Sequence, residues 1–274
     1  MAECKTSPEV GGMGHSVKRK EDPRFIRGQG NYVDDVVRPG MVFMDIVRSP
    51  YAHAKIKSIN TEKALAHPGV AAVITGETLK EYNLHMMPTL MSDTQMVLPI
   101  EKVCYQSQEV AAVVATDRYS AADGVELVEV EYEPLPVVVD PHKATDPDAP
   151  IIRDDKEGQE NNHIFHWEAG DKSGTDEIFQ NADVTVNKDI YLPRIHVASI
   201  ETCGCVSEFD SVTGQLTVWM TTQAPHAIRT VLALVAGHVG LQEDKIRIIS
   251  PDIGGGFGGK VPVYPGYVIA IAAS

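Results

Sequence analysis

One run of ten residues, five of them glycines, constrains this chain more than any other feature: Pro251-Asp-Ile-Gly-Gly-Gly-Phe-Gly-Gly-Lys260. Because glycine costs roughly 0.5–1 kcal/mol of chain entropy per residue, such a run implies an offsetting use. Without Cβ atoms, backbone N–H groups can approach an anionic ligand closely. A strand is predicted over 245–250, before the run, and an apolar helix from Pro265, after it. The N-terminus of that helix would add partial positive charge, and the Lys260 side chain would add a full positive charge. The run therefore predicts a loop that binds a phosphate-bearing cofactor.

Two other interpretations of this loop stay open. The spacing Gly254-x-Gly256-x-x-Gly259 matches the fingerprint of nicotinamide-dinucleotide sites. That site requires a second strand with an acidic residue about 20 positions further on, and the sequence ends first. The other interpretation is a glycine-rich turn that binds nothing.

Composition excludes several classes of protein. The 24 Lys and Arg against 38 Asp and Glu give a net charge of −14, which argues against nucleic acid as the main partner. The four cysteines, Cys4, Cys104, Cys203 and Cys205, are sparse and lack the C-x-x-C spacing of metal sites. We therefore predict reduced thiols and no metal ligand. Without an apolar stretch of about 18 residues or a signal peptide, we expect a cytoplasmic protein that reaches the inner membrane face only through partners.

The hydrophobic pattern predicts an α+β chain of two unequal domains. We interpret residues 1–20 as a flexible lead-in, 21–140 as a small α/β domain, 141–165 as a linker and 166–274 as the first part of a second domain. The sequence stops within an apolar run, 267–274, which favours a fragment or one piece of a split polypeptide.

The pattern also predicts individual elements. The run Val110–Ala115 is apolar throughout and is predicted to be a strand buried on both faces. A helix is predicted over 121–127 with Ser120 as its N-cap, and another from Pro225 that ends at Gly237 and Gly240. Further strands are predicted over 41–47, 70–75, 128–132, 184–192 and 216–220, and a short helix over 76–82.

Several motifs along the chain occur in the same order in one known family. They are Val17-Lys-Arg-Lys-Glu-Asp-Pro-Arg-Phe25, Gly28-Gln-Gly-Asn-Tyr-Val-Asp-Asp35, Arg48-Ser-Pro-Tyr-Ala-His-Ala54, Val128-Glu-Val-Glu-Tyr-Glu-Pro-Leu-Pro136, Thr222-Gln-Ala-Pro-His226 and Gly254-Gly-Gly-Phe-Gly-Gly-Lys260. Together they resemble the large subunit of the xanthine oxidase family of molybdenum hydroxylases. The resemblance covers nearly the whole chain and implies a hammerhead-type α/β domain followed by the start of a mixed α/β molybdopterin-binding domain.

The resemblance also implies the site. The family's cofactor is a molybdopterin, here molybdopterin cytosine dinucleotide with molybdenum. Gly255, Gly256, Phe257, Gly258 and Gly259 would contact the pyranopterin and its dinucleotide tail. Gln223 matches a glutamine that donates its amide N–H to the oxo group on molybdenum, so it is both the cofactor-binding and the catalytic candidate, and its neutral donor suits that role.

Further motifs are closest to the carbon monoxide branch of the family: Asn162-His-Ile-Phe165, Glu201-Thr-Cys-Gly-Cys-Val206, Gln223-Ala-Pro-His-Ala-Ile-Arg-Thr230 and Tyr264-Pro-Gly-Tyr-Val268. This branch converts carbon monoxide and water to carbon dioxide, two protons and two electrons. Its copper ligand and catalytic base would lie beyond these 274 residues. The expected partners are a flavin-binding medium subunit and a [2Fe-2S] small subunit, in a dimer of heterotrimers.

Two departures from the family pattern keep alternatives open. His196-Val-Ala-Ser-Ile-Glu201 replaces the usual His-Pro-Ser-Pro-Leu-Glu, and Gly259 stands where asparagine is common. An aldehyde or N-heteroaromatic hydroxylase of the same family is one alternative. A non-catalytic assembly or scaffold remnant that keeps the fold but binds no cofactor is the other.

The remaining candidates favour structural roles. His226, beside Pro225, is expected to be a packing histidine rather than an acid–base group. His163 and His166 lack further metal ligands nearby in sequence, and Cys203 and Cys205 are expected to be buried. Glu201 is expected to be a paired, buried carboxylate rather than a catalytic group.

Overall fold

The computed structural model of the chain describes residues 16–89, 93–156 and 158–274. The strands are β1 (Phe43–Arg48), β2 (Ala54–Asn60), β3 (Val70–Thr75), β4 (Met86–Pro88), β5 (Thr94–Met96), β6 (Lys102–Val103), β7 (Glu109–Ala115), β8 (Glu129–Pro134), β9 (Cys205–Asp210), β10 (Gln215–Met220) and β11 (Ile246–Ile249). The helices are α1 (Asp22–Phe25), α2 (Glu62–Leu65), α3 (Gly76–Glu81), α4 (Arg118–Leu127), α5 (Lys172–Gln180), α6 (Pro225–Ala236) and α7 (Pro265–Ala273). The mixture confirms the predicted α+β class. Most of the predicted lead-in, and with it Cys4, lies outside the described residues.

The first half of the chain is built around β7. This strand pairs antiparallel with β1 on one side and β3 on the other. All of its residues are buried, as its unbroken apolar sequence predicts. Helix α4 packs against this sheet, and a Cβ on Gly124 would lie 2.7 Å from Val113, so glycine permits the close approach. A second sheet places β2 between β6 and β8.

The second half of the chain contains a mixed three-stranded sheet. Strand β10 lies in its centre, antiparallel to β9 and parallel to β11. Helix α6 begins with Pro225 at its first turn, buries Ile228 and Leu232, and is followed by Gly240 with a φ of 87°. The predicted helix and its end are therefore confirmed. Because β10 and β11 are parallel neighbours, their carboxyl ends reach the same edge of the sheet, where the candidate site lies.

Both halves contribute to one hydrophobic core. Ile74 and Leu79 from the first half belong to the same buried cluster as Leu216, Leu232 and Val268 from the second. Helix α7 enters this core, and its nine apolar residues are far fewer than a bilayer requires. Within the described ranges no helix has the length and apolarity to cross a membrane.

Two sequence predictions about single elements are wrong. Helix α4 begins at Arg118 rather than 121, and its N-cap is Asp117, not Ser120. The Asp117 carboxylate accepts hydrogen bonds from the backbone N–H groups of Tyr119 and Ser120, both at 2.9 Å. Aspartate is an equally good N-cap, and here its side chain reaches two of the unpaired N–H groups of the first turn.

The second wrong prediction is the strand over 184–192. The structure assigns this segment neither strand nor helix. Its side chains are exposed, with Val186 at 84% and Tyr191 at 87%. A strand requires a neighbouring strand for its N–H and C=O groups, and none of the described residues pairs with this backbone.

Candidate functional site

The site lies where the chain leaves β10 and β11. Gln223 follows β10 by three residues, and the loop Gly254–Gly259, called the glycine loop below, follows β11. The backbone N–H of Gln223 donates to the carbonyl of Lys260 over 2.9 Å. The Ser250 hydroxyl donates to the carbonyl of Thr222, also over 2.9 Å. The second bond holds the two strand ends side by side, and the first ties Gln223 to the residue that follows the glycine loop.

The glycine loop contains a tight reverse turn. The N–H of Gly259 donates to the carbonyl of Gly256 over 2.8 Å, and the two residues between them have positive φ angles, 50° at Phe257 and 86° at Gly258. Positive φ at both central positions is typical of a type I′ turn. The left-handed conformation costs a non-glycine residue roughly 1–2 kcal/mol. The turn leaves the Phe257 ring 76% exposed, so it is not part of the core.

The Gln223 side chain is oriented by this turn. Its Oε1 lies 3.0 Å from the N–H nitrogen of Gly258 and 3.3 Å from that of Lys260. Because both backbone groups are donors, the atom that meets them must be the amide oxygen. The Nε2 group therefore faces away from the loop, and no described residue accepts a hydrogen bond from it. Gly256 makes this contact possible, since a Cβ there would lie 2.4 Å from the amide carbon of Gln223.

The other side of the glycine loop packs against residues 197–201. A Cβ on Gly259 would lie 2.7 Å from Val197, one on Gly254 would lie 2.5 Å from Glu201, and one on Gly255 would lie 3.3 Å from Ser199. Gln223 on one side of the loop and residues 197–201 on the other leave no room for side chains at these glycines. This packing requires the glycines whether or not a ligand binds. No local pattern in the sequence predicts the wall formed by residues 197–201, although it lies within the segment His196–Glu201 that departs from the family pattern.

A buried ion pair joins the two ends of the glycine loop. The Lys260 ammonium lies 2.9 Å from Oε2 of Glu201, with the two side chains 2% and 19% exposed. The same oxygen accepts the N–H of Gly254 over 2.7 Å. Glu201 is thus the paired carboxylate that the sequence predicts. The prediction that Lys260 offers its charge to a ligand is wrong, because Glu201 neutralises that charge inside the protein.

The start of the glycine loop is held by the N-terminal segment. Both terminal nitrogens of the Arg24 guanidinium donate to the two carboxylate oxygens of Asp252. The Asn31 N–H donates to the Asp252 carboxylate over 2.8 Å, and the Asn31 carbonyl accepts the Asp252 N–H over 3.0 Å. The hydrogen bonds from Arg24, more than any other interaction, hold the pKa of the Asp252 carboxyl below its usual value.

Several polar groups around the glycine loop have no partner. Within the described residues, the N–H groups of Gly255, Gly256 and Phe257 make no hydrogen bond, whereas those of Gly258 and Gly259 are used inside the chain. On the facing wall, the Ser199 hydroxyl and Oε1 of Glu201 are buried without a partner. Buried polar groups are almost always satisfied. Together these donors and acceptors fit a ligand that has anionic groups and a heteroatom-rich ring, as a molybdopterin dinucleotide does.

The remaining sequence candidates do not form a site. His226 is exposed on α6, so the prediction of a packing histidine is wrong. Cys203 is exposed, against expectation, while burial raises the pKa of the Cys205 thiol to about 12. The described part of the chain holds no cluster of three or more His, Cys, Asp or Glu side chains suited to a metal.

Comparison with known proteins places this site in a family. The model of the aldehyde oxidase and xanthine dehydrogenase a/b hammerhead domain matches residues 27–136. The model of the molybdopterin cofactor-binding domain matches residues 155–274, which include the glycine loop and Gln223. The chain belongs to the xanthine oxidase family of molybdenum hydroxylases, as its motifs predict.

Individual relatives and one solved structure are similar to this chain over nearly its whole length. The chain is 55% identical to the carbon monoxide dehydrogenase large chain of Hydrogenophaga pseudoflava, over 97% of this chain and 34% of that one. It is 35% identical to the nicotine 6-hydroxylase large subunit of Paenarthrobacter nicotinovorans, over 96% and 32%. The solved structure of reconstituted CO dehydrogenase from Oligotropha carboxidovorans matches with a TM-score of 0.85 and 57% identity, over 96% and 34%. The chain thus spans about a third of the length of these relatives.

Proposed function

We propose that this chain is part of the catalytic large subunit of a molybdenum hydroxylase that oxidises carbon monoxide with water. The observation that carries the proposal is the set of unpaired polar groups on the glycine loop and on the facing wall at Ser199 and Glu201. This set lies inside the segment that matches a molybdopterin-binding domain. The choice of carbon monoxide is supported by 55% identity to a carbon monoxide dehydrogenase large chain, against 35% to a nicotine hydroxylase subunit.

The unpaired groups of the glycine loop and of its facing wall are the groups that would hold the cofactor. The N–H groups of Gly255, Gly256 and Phe257 would donate to anionic groups of the cofactor, and Ser199 and Oε1 of Glu201 would accept from its N–H groups. Gly258 would contribute by its positive φ, and Gly259 by the space that it leaves beside Val197. When bound, molybdopterin cytosine dinucleotide supplies the molybdenum that takes two electrons from the substrate.

Gln223 is the catalytic candidate in this arrangement. Its oxygen accepts from the N–H groups of Gly258 and Lys260, so its NH₂ group would be free to act as a neutral donor toward a bound cofactor. A neutral donor stabilises developing negative charge without becoming a ligand itself. Because the loop already fixes the amide, little reorganisation is needed when the reaction begins.

The overall reaction balances as carbon monoxide plus water giving carbon dioxide, two protons and two electrons. We propose that the electrons leave through a [2Fe-2S] small subunit and a flavin-binding medium subunit, in a dimer of heterotrimers. Any copper ligand and the catalytic base would lie outside these 274 residues. Within them, we assign 21–140 to the hammerhead domain, 141–165 to the linker and 166–274 to the first part of the cofactor domain.

The test is an activity and content assay on the complete enzyme complex. We expect molybdenum and cytidine nucleotide in equal amounts, and dye reduction that depends on carbon monoxide. Turnover of N-heteroaromatic compounds or aldehydes in place of carbon monoxide would move the protein to the other branch of its family. A full-length complex without molybdenum would contradict the proposal and favour the scaffold alternative.

A further inference from the structure

Lys260 contacts both Gln223 and Glu201, and so connects the two walls of the glycine loop. Its ammonium lies on Oε2 of Glu201, its N–H donates to Oε1 of Gln223, and its carbonyl accepts the Gln223 N–H. The Thr222 hydroxyl donates to the same carbonyl over 3.4 Å. Lys260 therefore holds Gln223 through its main chain and Glu201 through its side chain.

Glu201 completes the arrangement at the other end of the loop. Its Oε2 accepts from Gly254 as well as from Lys260, and its own N–H donates to the carbonyl of Gly254 over 3.2 Å. A single carboxylate oxygen thus bridges the first residue of the glycine loop to the residue that follows its last. The loop is closed into a ring by one ion pair between segments 59 residues apart.

We infer that Lys260 is a positioning residue whose ion pair with Glu201 closes the glycine loop and thereby fixes the direction of the Gln223 amide. The inference rests on the proposed function only in the role of Gln223. The geometry carries it, since the closed loop supplies both N–H groups that hold the Gln223 oxygen, at Gly258 and Lys260.

A buried ion pair is an uncertain source of stability, because the cost of removing both charges from water offsets much of their attraction. Removal of one partner strands the other charge, whereas removal of both charges leaves stability nearly unchanged in other buried pairs. This difference separates a purely structural role from a positioning role. If the pair only stabilises the fold, a doubly neutral variant recovers everything that a single variant loses.

The experiment compares four forms of the complete enzyme complex with the wild type: Lys260→Met, Glu201→Gln, the double variant, and Lys63→Met as control. Lys63 forms an exposed ion pair with Glu129 in the first domain. The measurements are hydrogen exchange of the segment 254–260 by mass spectrometry, the thermal midpoint, molybdenum per subunit, and kcat and KM per molybdenum.

We expect Lys260→Met and Glu201→Gln to speed hydrogen exchange in the glycine loop. We also expect kcat per molybdenum to fall about 10- to 100-fold, the range seen when a supporting residue is lost, with little change in KM. In the double variant the thermal midpoint should recover while kcat per molybdenum stays low and loop exchange stays fast. The control should match the wild type in every measurement.

Recovery of kcat together with the thermal midpoint in the double variant would overturn the inference, as would unchanged loop exchange in all variants. If a single variant fails to fold, the double variant alone decides by the same criteria. If the wild-type complex holds no molybdenum, the proposed function fails, and loop exchange still decides whether the ion pair closes the loop.

Discussion

Gly256 lies directly against the Gln223 side chain, so the backbone of the glycine loop and the candidate catalytic group share one contact. A methyl group there would lie 2.4 Å from the amide carbon of Gln223, a distance that real Cβ atoms do not adopt. We therefore expect Gly256→Ala to push the Gln223 amide out of place and to lower the molybdenum content. Because that amide ends a flexible, exposed side chain, the loss of stability should stay below about 1 kcal/mol. Thermal unfolding and metal analysis measure both effects.

Gly237 provides the matched control for that substitution. It follows α6, has no positive φ, and a Cβ there would meet nothing within 4 Å. Gly237→Ala should therefore leave stability and molybdenum content close to those of the wild type. Equal effects of the two substitutions would show that the contact between Gly256 and Gln223 is unimportant.

Gln223 itself can be tested for its two roles separately. Gln223→Glu keeps an oxygen that accepts from Gly258 and Lys260, but it removes the NH₂ donor and adds a negative charge. Gln223→Ala removes both functions. We expect both variants of the complete enzyme to lose most of kcat, with the glycine loop exchanging faster only in Gln223→Ala. Full activity of Gln223→Glu would remove the amide donor from the mechanism.

At the scale of elements, helix α6 begins two residues after Gln223 and packs against β11. Leu232 is fully buried in this helix, whereas Leu234, two residues on, is 58% exposed. We expect Leu232→Ala to lower the free energy of unfolding by about 2–5 kcal/mol, and Leu234→Ala to change it by less than about 1 kcal/mol. Urea titration distinguishes the two, and similar losses would mean that α6 does not pack as described.

Elements that depend on local sequence could be predicted, and those that depend on distant partners could not. The apolar run of β7 and the proline and glycine that bound α6 identify both elements from sequence alone. The segment 184–192 has the apolar pattern of a strand but no partner among the described residues. Likewise, no local signal could show that Lys260 would be buried against Glu201, since their contact exists only in the folded chain.

At the scale of the whole molecule, Arg24 and Asp252 connect the N-terminal segment to the glycine loop. Because the pKa of Asp252 is lower in the folded protein than in the unfolded chain, this carboxylate contributes stability that is fully present above the unfolded pKa, near 3.9. The contribution is lost as the pH falls through the lowered folded value. Asp252→Asn should therefore destabilise the protein at neutral pH and progressively less below about pH 4.

The measurement for this prediction is the thermal midpoint of both forms between neutral and acidic pH. Asp148→Asn, in the exposed segment after β8, provides a control carboxylate. A difference between Asp252→Asn and wild type that stays constant with pH would contradict the proposed contribution of the ion pair.

If the glycine loop and its two walls hold a molybdenum cofactor, a high-resolution structure of the complete enzyme complex will show the cofactor there. We expect a molybdopterin with polar groups within hydrogen-bond distance of the Gly255, Gly256 and Phe257 N–H groups. The Gln223 amide nitrogen should face the molybdenum end of the cofactor. A nicotinamide dinucleotide on this loop, or a molybdopterin bound elsewhere in the subunit, would contradict it.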